Sequence, residues 1–95
     1  MTYHCLKLST RYYDSVDNGT KPFEVRRDDR GFKIGDTIEF MRVDEDGNTI
    51  QNGKGTNDYS VKKITFILTH EDFPQGISEG YVVLGLTDAF RTKIL

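Results

Sequence analysis

From Gly19 the chain reads Gly-Thr-Lys-Pro-Phe-Glu-Val-Arg, and this octapeptide constrains the fold more than any other stretch. Gly19 suits the end of a helix, and Pro22, which has no backbone donor, suits the start of a strand or a sheet edge. A strand over Phe23–Arg27 then follows. Side chains alternate along a strand, so Phe23 and Val25 should face one way and Glu24 and Arg26 the other. The expectation is an oily side that packs on a core and a charged side that faces a ligand. Same-face residues lie about 7 Å apart, which lets Glu24 and Arg26 pair or grip one ligand together. Lys21 arrives from the preceding turn.

The rest of the chain supplies partners for that strand. Tyr3–Leu8 reads as a first strand, and Ser9 or Thr10 offers an N-cap oxygen for a short helix ending at Asn18-Gly19, with Tyr12, Tyr13 and Val16 as its inner stripe. Gly35-Asp36 turns the chain into a strand over Thr37–Val43. Asp44–Asn48 is a turn by composition, and residues 48–58 read as a polar, mobile loop near three glycines, Gly47, Gly53 and Gly55. Tyr59–Thr69 alternates at its end, with Ile64, Phe66 and Leu68 on one side and Thr65, Ile67 and Thr69 on the other. A connector with Pro74 and Gly76 leads to a last strand, Tyr81–Leu86.

Five strands, one early helix and no βαβ alternation predict a mostly β, α+β fold: a small, mainly antiparallel five-stranded barrel with the helix packed at one end. Closure would hide the strand edges. At 95 residues the chain has room for one core, so 1–95 is read as a single domain, with the barrel at about 3–86 and a tail at 87–95.

Composition narrows the function classes. With 36% hydrophobic and 29% charged residues, and no apolar run of membrane-spanning length, no membrane association is expected. Met1-Thr2-Tyr3-His4 lacks a basic leader or an apolar signal core, and the lone Cys5 has no partner for an internal disulfide. A reducing cytoplasm is the expected compartment. The net charge of −2 argues against tight non-specific nucleic-acid binding. That charge is unevenly spread: residues 1–35 hold seven basic groups against five acidic, and 36–95 hold six against ten. Any anion-binding surface belongs to the first third.

The candidate site residues therefore cluster early. Lys21, Glu24 and Arg26 come first. On composition alone they also fit an ordinary ion pair beside a solvated lysine, which is worth about 1 kcal/mol at most when exposed. His4 and Lys7 lie three apart on a strand and so face opposite ways; His4 shares parity with Leu6 and Leu8 and reads as a core-edge histidine, which leaves Lys7 the better claim to a cleft. Arg27 and Arg30 sit in the run Arg27-Asp28-Asp29-Arg30, whose alternating signs suit a solvated loop as well as a phosphate contact. Base stacking would need exposed aromatics. The candidates Tyr12, Phe32, Tyr59, Phe73 and Tyr81 read mostly as core or core-edge. No phosphate loop, dinucleotide motif, metal-ligand spacing or activated nucleophile is present, so no cofactor and no metal are implied.

The pattern GxKxxExR, met here by Gly19, Lys21, Glu24 and Arg26, resembles the signature of ASCH domains, small β-barrels of the PUA-like superfamily. His4-Cys5-Leu6-Lys7, the run from Phe23 to Phe32, Gly35-Asp36 and Gly80–Leu84 together look like one phage and bacterial branch, domain-of-unknown-function family 3850, over Tyr3 to about Leu86. The resemblance implies a cleft between helix and barrel lined by Lys21, Glu24 and Arg26. It also implies RNA or a nucleotide-like small molecule as partner. Some ASCH relatives are amidohydrolases acting on acetylated cytidine, with a threonine nucleophile at the position that Glu24 holds here; that substitution argues for a binder over a hydrolase. The alternatives are a small hydrolase acting on a modified nucleoside and a phage-type accessory protein that binds a host protein.

Overall fold

The computed structural model describes residues 1–51, 53 and 58–89. Its elements follow the chain as β1 (Tyr3–Ser9), α1 (Thr10–Asp17), β2 (Phe23–Arg27), β3 (Thr37–Val43), β4 (Tyr59–Thr69) and β5 (Tyr81–Asp88). The five strands form one sheet in the order β1-β3-β4-β5-β2, curled into a half-barrel. β1 runs parallel to β3, while β3–β4, β4–β5 and β5–β2 are antiparallel. The fold class is as read from sequence, but β1 and β2 are the two edges of the sheet and do not pair with each other. β5 continues to Asp88, into the expected tail; positions 90–95, and much of the loop expected over 48–58, lie outside the described residues.

The helix forms where its caps allow. Ser9 Oγ accepts the Arg11 N–H at 3.2 Å at the N-terminus. At the other end Gly19 takes the left-handed conformation at φ 86°, where a side chain would clash with its own backbone. Tyr13 and Val16 pack into the core, whereas Tyr12, expected with them, is exposed. No basic residue occupies the last turn of α1. Lys62 of β4 supplies that cation: its buried Nζ donates to the Asp17 carbonyl at 3.0 Å and to Asp88 Oδ1 at 2.6 Å.

The concave face holds the core, built from Leu6, Leu8, Ile38, Phe40, Ile64, Val82, Leu84 and Leu86, with Phe32 delivered by the loop after β2. Two sequence-derived parities are overturned. A β-bulge between Ile64 and Phe66 adds a residue to β4, so Ile64 stays inside while Phe66, 58% exposed, moves to the convex face. In β2 the whole face assignment is reversed. Glu24 is buried at 6% exposure, and Phe23 and Val25 stand out at 43% and 53%. The reason is charge pairing, described below: an inward carboxylate that meets two cations can be buried, so apolar content alone did not decide which face packs.

A second buried acid fixes the start of the sheet. Asp36, 2% exposed, takes the Thr2 N–H at 3.0 Å on one oxygen, and the Lys33 N–H at 3.0 Å and His4 Nε2 at 2.9 Å on the other. A carboxylate only accepts, so His4 carries its proton on Nε2. The His4 ring packs against Phe32 at 4.8 Å. Two short motifs about thirty residues apart, His4 in β1 and Gly35-Asp36 before β3, thus meet in one hydrogen-bonded corner.

Burial by itself would raise the Asp36 pKa, but the bonds from Thr2, His4 and Lys33 outweigh it and hold the carboxyl below the ordinary aspartate value of 3.8. A depressed native pKa means the stability is fully present above that ordinary value and is lost as pH falls through the lower native one. Urea denaturation should therefore show a falling midpoint as pH drops from about 5 towards 2. Asp36→Asn should be destabilised by about 2 kcal/mol near neutrality, the cost of a lost charged acceptor, and its acid limb should be flatter than that of wild type.

Candidate functional site

Glu24 is the centre of the charged cluster. Its Oε1 takes Lys21 Nζ at 2.5 Å and its Oε2 takes Arg26 Nε at 2.8 Å. Lys21 reaches it because Gly19 ends the helix and the Lys21 N–H is pinned to the Ser15 carbonyl at 2.9 Å. Lys21 Nζ also donates to the Phe23 carbonyl at 3.0 Å and lies over the rings of Phe23 and Tyr12, 4.8 and 5.3 Å from their centroids. Both cations are therefore held before any ligand arrives.

Arg26 does more than pair. Its Nη2 crosses from β2 to donate to the Lys7 carbonyl of β1 at 2.6 Å, and its guanidinium carbon sits 5.8 Å from the Phe40 ring centroid. The two edges of the half-barrel are thus joined by a side chain where a closed barrel would use a backbone ladder. The gap beside this bridge is a cavity of about 590 Å³ between α1, the end of β1 and β2. Lys21, Glu24, Arg26 and Arg27 supply its polar groups, and Tyr12, Phe23 and Tyr81 its aromatic walls. A smaller cavity of about 180 Å³ adjoins it, lined by Arg26, Arg27, Asp29, Arg30, Leu6 and Phe32.

The residues singled out from sequence are distributed as follows. Lys21, Glu24, Arg26 and Arg27 share the large cavity, and Arg26, Arg27 and Arg30 share the small one. Arg27 stacks on Tyr81 at 5.2 Å; Arg30 only approaches Asp29 at 3.9 Å, both well exposed, a contact worth little. Lys7 contributes its backbone carbonyl, while its side chain is exposed on the opposite face from Leu6 and Leu8. His4 belongs to the Asp36 corner. Of the aromatics, Phe32 is buried, but Tyr12, Tyr59 and Phe73 are exposed, against the expectation that most would be core. Sequence reasoning missed the part Tyr12 and Phe23 play in the cavity wall, because helical spacing and strand parity both assigned them inward. The Lys21 ammonium, three residues from one carboxylate and flanked by two rings, was the signal that could have placed them.

Chemically, the arrangement can bind an anion that carries a flat group. Three cations against one carboxylate leave the large cavity net positive. Both Glu24 oxygens are engaged by cations, so this carboxylate organises Lys21 and Arg26 and is poorly placed to accept a substrate proton. Among the described residues no group of three or more His, Cys, Asp or Glu side chains is set to hold a metal, and no helix is long and apolar enough to cross a membrane.

The double role of Arg26 has a measurable consequence. Arg26→Ala leaves a buried carboxylate short of one cation and frees the β1 edge, and it should cost about 3 kcal/mol by chemical denaturation. Arg26→Lys should recover little of this, since Arg26 reaches Glu24 and the Lys7 carbonyl from two separate nitrogens, Nε and Nη2, whereas a lysine donates from a single point. Arg30→Ala, by contrast, should stay within about 0.5 kcal/mol of wild type.

Comparison with known proteins places this arrangement in a family. The profile described as "Domain of unknown function (DUF3850)" matches residues 3–86. No curated protein matches the chain. The matched span takes in β1 to β4 and β5 as far as Leu86, with the Asp36 corner and the whole Lys21–Glu24–Arg26 cluster inside it. The chain belongs to the DUF3850 family.

Proposed function

We propose that this protein binds a nucleotide or a short single-stranded RNA in the cavity between α1, β1 and β2. The observation that carries the reading is the juxtaposition of preset cations with exposed rings. Lys21 and Arg26 are fixed around Glu24, Arg27 stands beside them, and Tyr12, Phe23 and Tyr81 form the walls. Phosphate would take the cations and a base would stack on a ring, the division of labour common to proteins that bind single strands. Arg26 spends Nε on Glu24 and Nη2 on the Lys7 carbonyl, so this reading assigns the phosphate to its remaining nitrogen, Nη1. The resemblance of Gly19, Lys21, Glu24 and Arg26 to the ASCH signature supports the same ligand class. A cytoplasmic setting fits the exposed, unpaired Cys5.

Binding is favoured over hydrolysis because Glu24 is already doubly engaged. The affinity should be modest: two or three phosphates at a single-strand slope of about −0.7 each give roughly −1.5 to −2 for log affinity against log salt. Filter binding of short RNAs across a salt series tests this. Tyr12→Leu should weaken binding by about 1–3 kcal/mol through lost stacking, and Arg27→Gln should reduce the slope by about 0.7. A slope steeper than about −5, or wild-type affinity in Tyr12→Leu, would exclude the cavity as the binding site.

The competing hydrolase reading makes a different prediction for one conservative change. In a binder, Glu24→Gln alters affinity moderately and there is no turnover to lose. If wild type turned over a modified nucleoside and Glu24→Gln kept binding but lost about 100-fold or more in rate, Glu24 would be a general base and the binding-only reading would be wrong.

A further inference from the structure

Reversed parity in β2 and the bulge in β4 have one joint effect, which is to gather apolar side chains on the convex face. Register sets them in two rows across β2, β5 and β4. Phe23 and Phe66 flank Gly85 in one row, and Val25, Val83 and Leu68 make the next. Phe73, packed over Gly76 in the loop after β4, extends the band, since Gly76 also lines a small cavity with Val25 and Val83. Phe23, Val25, Phe66 and Phe73 are each about half exposed. With 150–250 Å² available per aromatic side chain, the three phenylalanines together with the smaller Val25 expose on the order of 400 Å². That is within the roughly 300–600 Å² of the largest apolar patch on a typical monomer, a patch that is often functional.

The charges at its two ends say what fits it. Beyond the Phe23–Phe66 row lies Lys63, exposed, on the convex face because its neighbour Lys62 points inward, and without an ion pair among the described residues. Beyond the Val25–Leu68 row lies the loop with Glu71, Asp72 and Glu79, all exposed; Arg27, stacked on Tyr81 at that end, keeps its charge but is outnumbered by these three acids. The face therefore runs from positive through apolar to negative along the strands. Such a face is complementary to itself when turned through a two-fold axis, which sets the Lys63 end of one copy against the acidic loop of the other and packs the phenylalanines together.

We infer that the convex face of β2, β5 and β4 is a homodimer interface of two-fold symmetry. Its exposed apolar area falls short of the roughly 800 Å² per partner of a standard stable interface, so the dimer is a weak, concentration-dependent one. Phe23 is common to this face and to the cavity wall, so pairing would bring two cavities to the rim of one interface.

Sedimentation velocity over a micromolar to submillimolar series of the full chain tests the inference. Wild type should move from monomer towards twice the monomer mass as concentration rises. Phe66→Glu, at a side chain in no hydrogen bond, should shift the midpoint at least tenfold or abolish dimerisation while far-UV dichroism and thermal unfolding stay at wild-type values. Lys63→Glu should weaken dimerisation severalfold, and adding Glu71→Lys in the same chain should restore it, an outcome that loss of folding could not produce. A wild type that stays monomeric across the whole series would overturn the inference. So would a dimer unaffected by Phe66→Glu, which would place the contact on another face.

Discussion

A buried carboxylate organises this molecule. Glu24 has water removed from around it, and burying that charge is tolerable only because both oxygens receive a cation. The requirement propagates outward. It turns β2 over so that its charged side faces in, fixes Lys21 after the helix, and aims Arg26 at β1, where the guanidinium reaches the Lys7 carbonyl. That side chain ties the two open edges of the half-barrel to each other. The cavity is the space left beside it, so the group that completes the fold is also the group that charges the site.

Asp36 plays a comparable part at the other end of β1, with a different chemistry. Glu24 is satisfied by formal charges; Asp36 is satisfied mainly by backbone N–H groups and one imidazole. The first arrangement leaves cations at a solvent-accessible gap, where a ligand can share them. The second spends its bonds on joining Thr2, His4 and Lys33 and leaves no donor spare. This difference explains why two buried acids leave different surroundings: one sits among cations at an open cavity and the other closes a corner.

Much of this was legible in the residues. All six elements stand where capping, alternation and turn chemistry put them, with β1 and β5 longer by one and two residues, and the site candidates other than the Lys7 side chain gather around two adjoining cavities. What was not legible follows from interactions that no local pattern encodes. Alternation in Phe23–Arg26 defined two faces correctly but not which of them is buried, because Arg26 finds its second partner nineteen residues away. The periodicity of β4 was read across a bulge, and one added residue exchanged Phe66 for Ile67 on the inner face. Tyr12 was assigned inward by helical spacing, yet a two-turn helix buries a stripe only as wide as Tyr13 and Val16 need.

The parallel pairing of β1 with β3 bears on how the protein is made. β3, β4 and β5 are sequential antiparallel neighbours and can form a meander from contacts close in the chain. β1 needs β3, and β2 needs β5, whose pairing with it spans more than fifty residues. On a ribosome the segment that holds Lys21, Arg26, Arg27 and Arg30 therefore emerges before its strand partners and waits for them, since long-range strand pairing carries the larger loop-closure cost. The cavity between α1, β1 and β2 is walled by the two strands whose pairing spans the longest stretches of chain, so on loop-closure grounds its assembly is expected late, with Lys21, Glu24 and Arg26 hydrated until β2 docks.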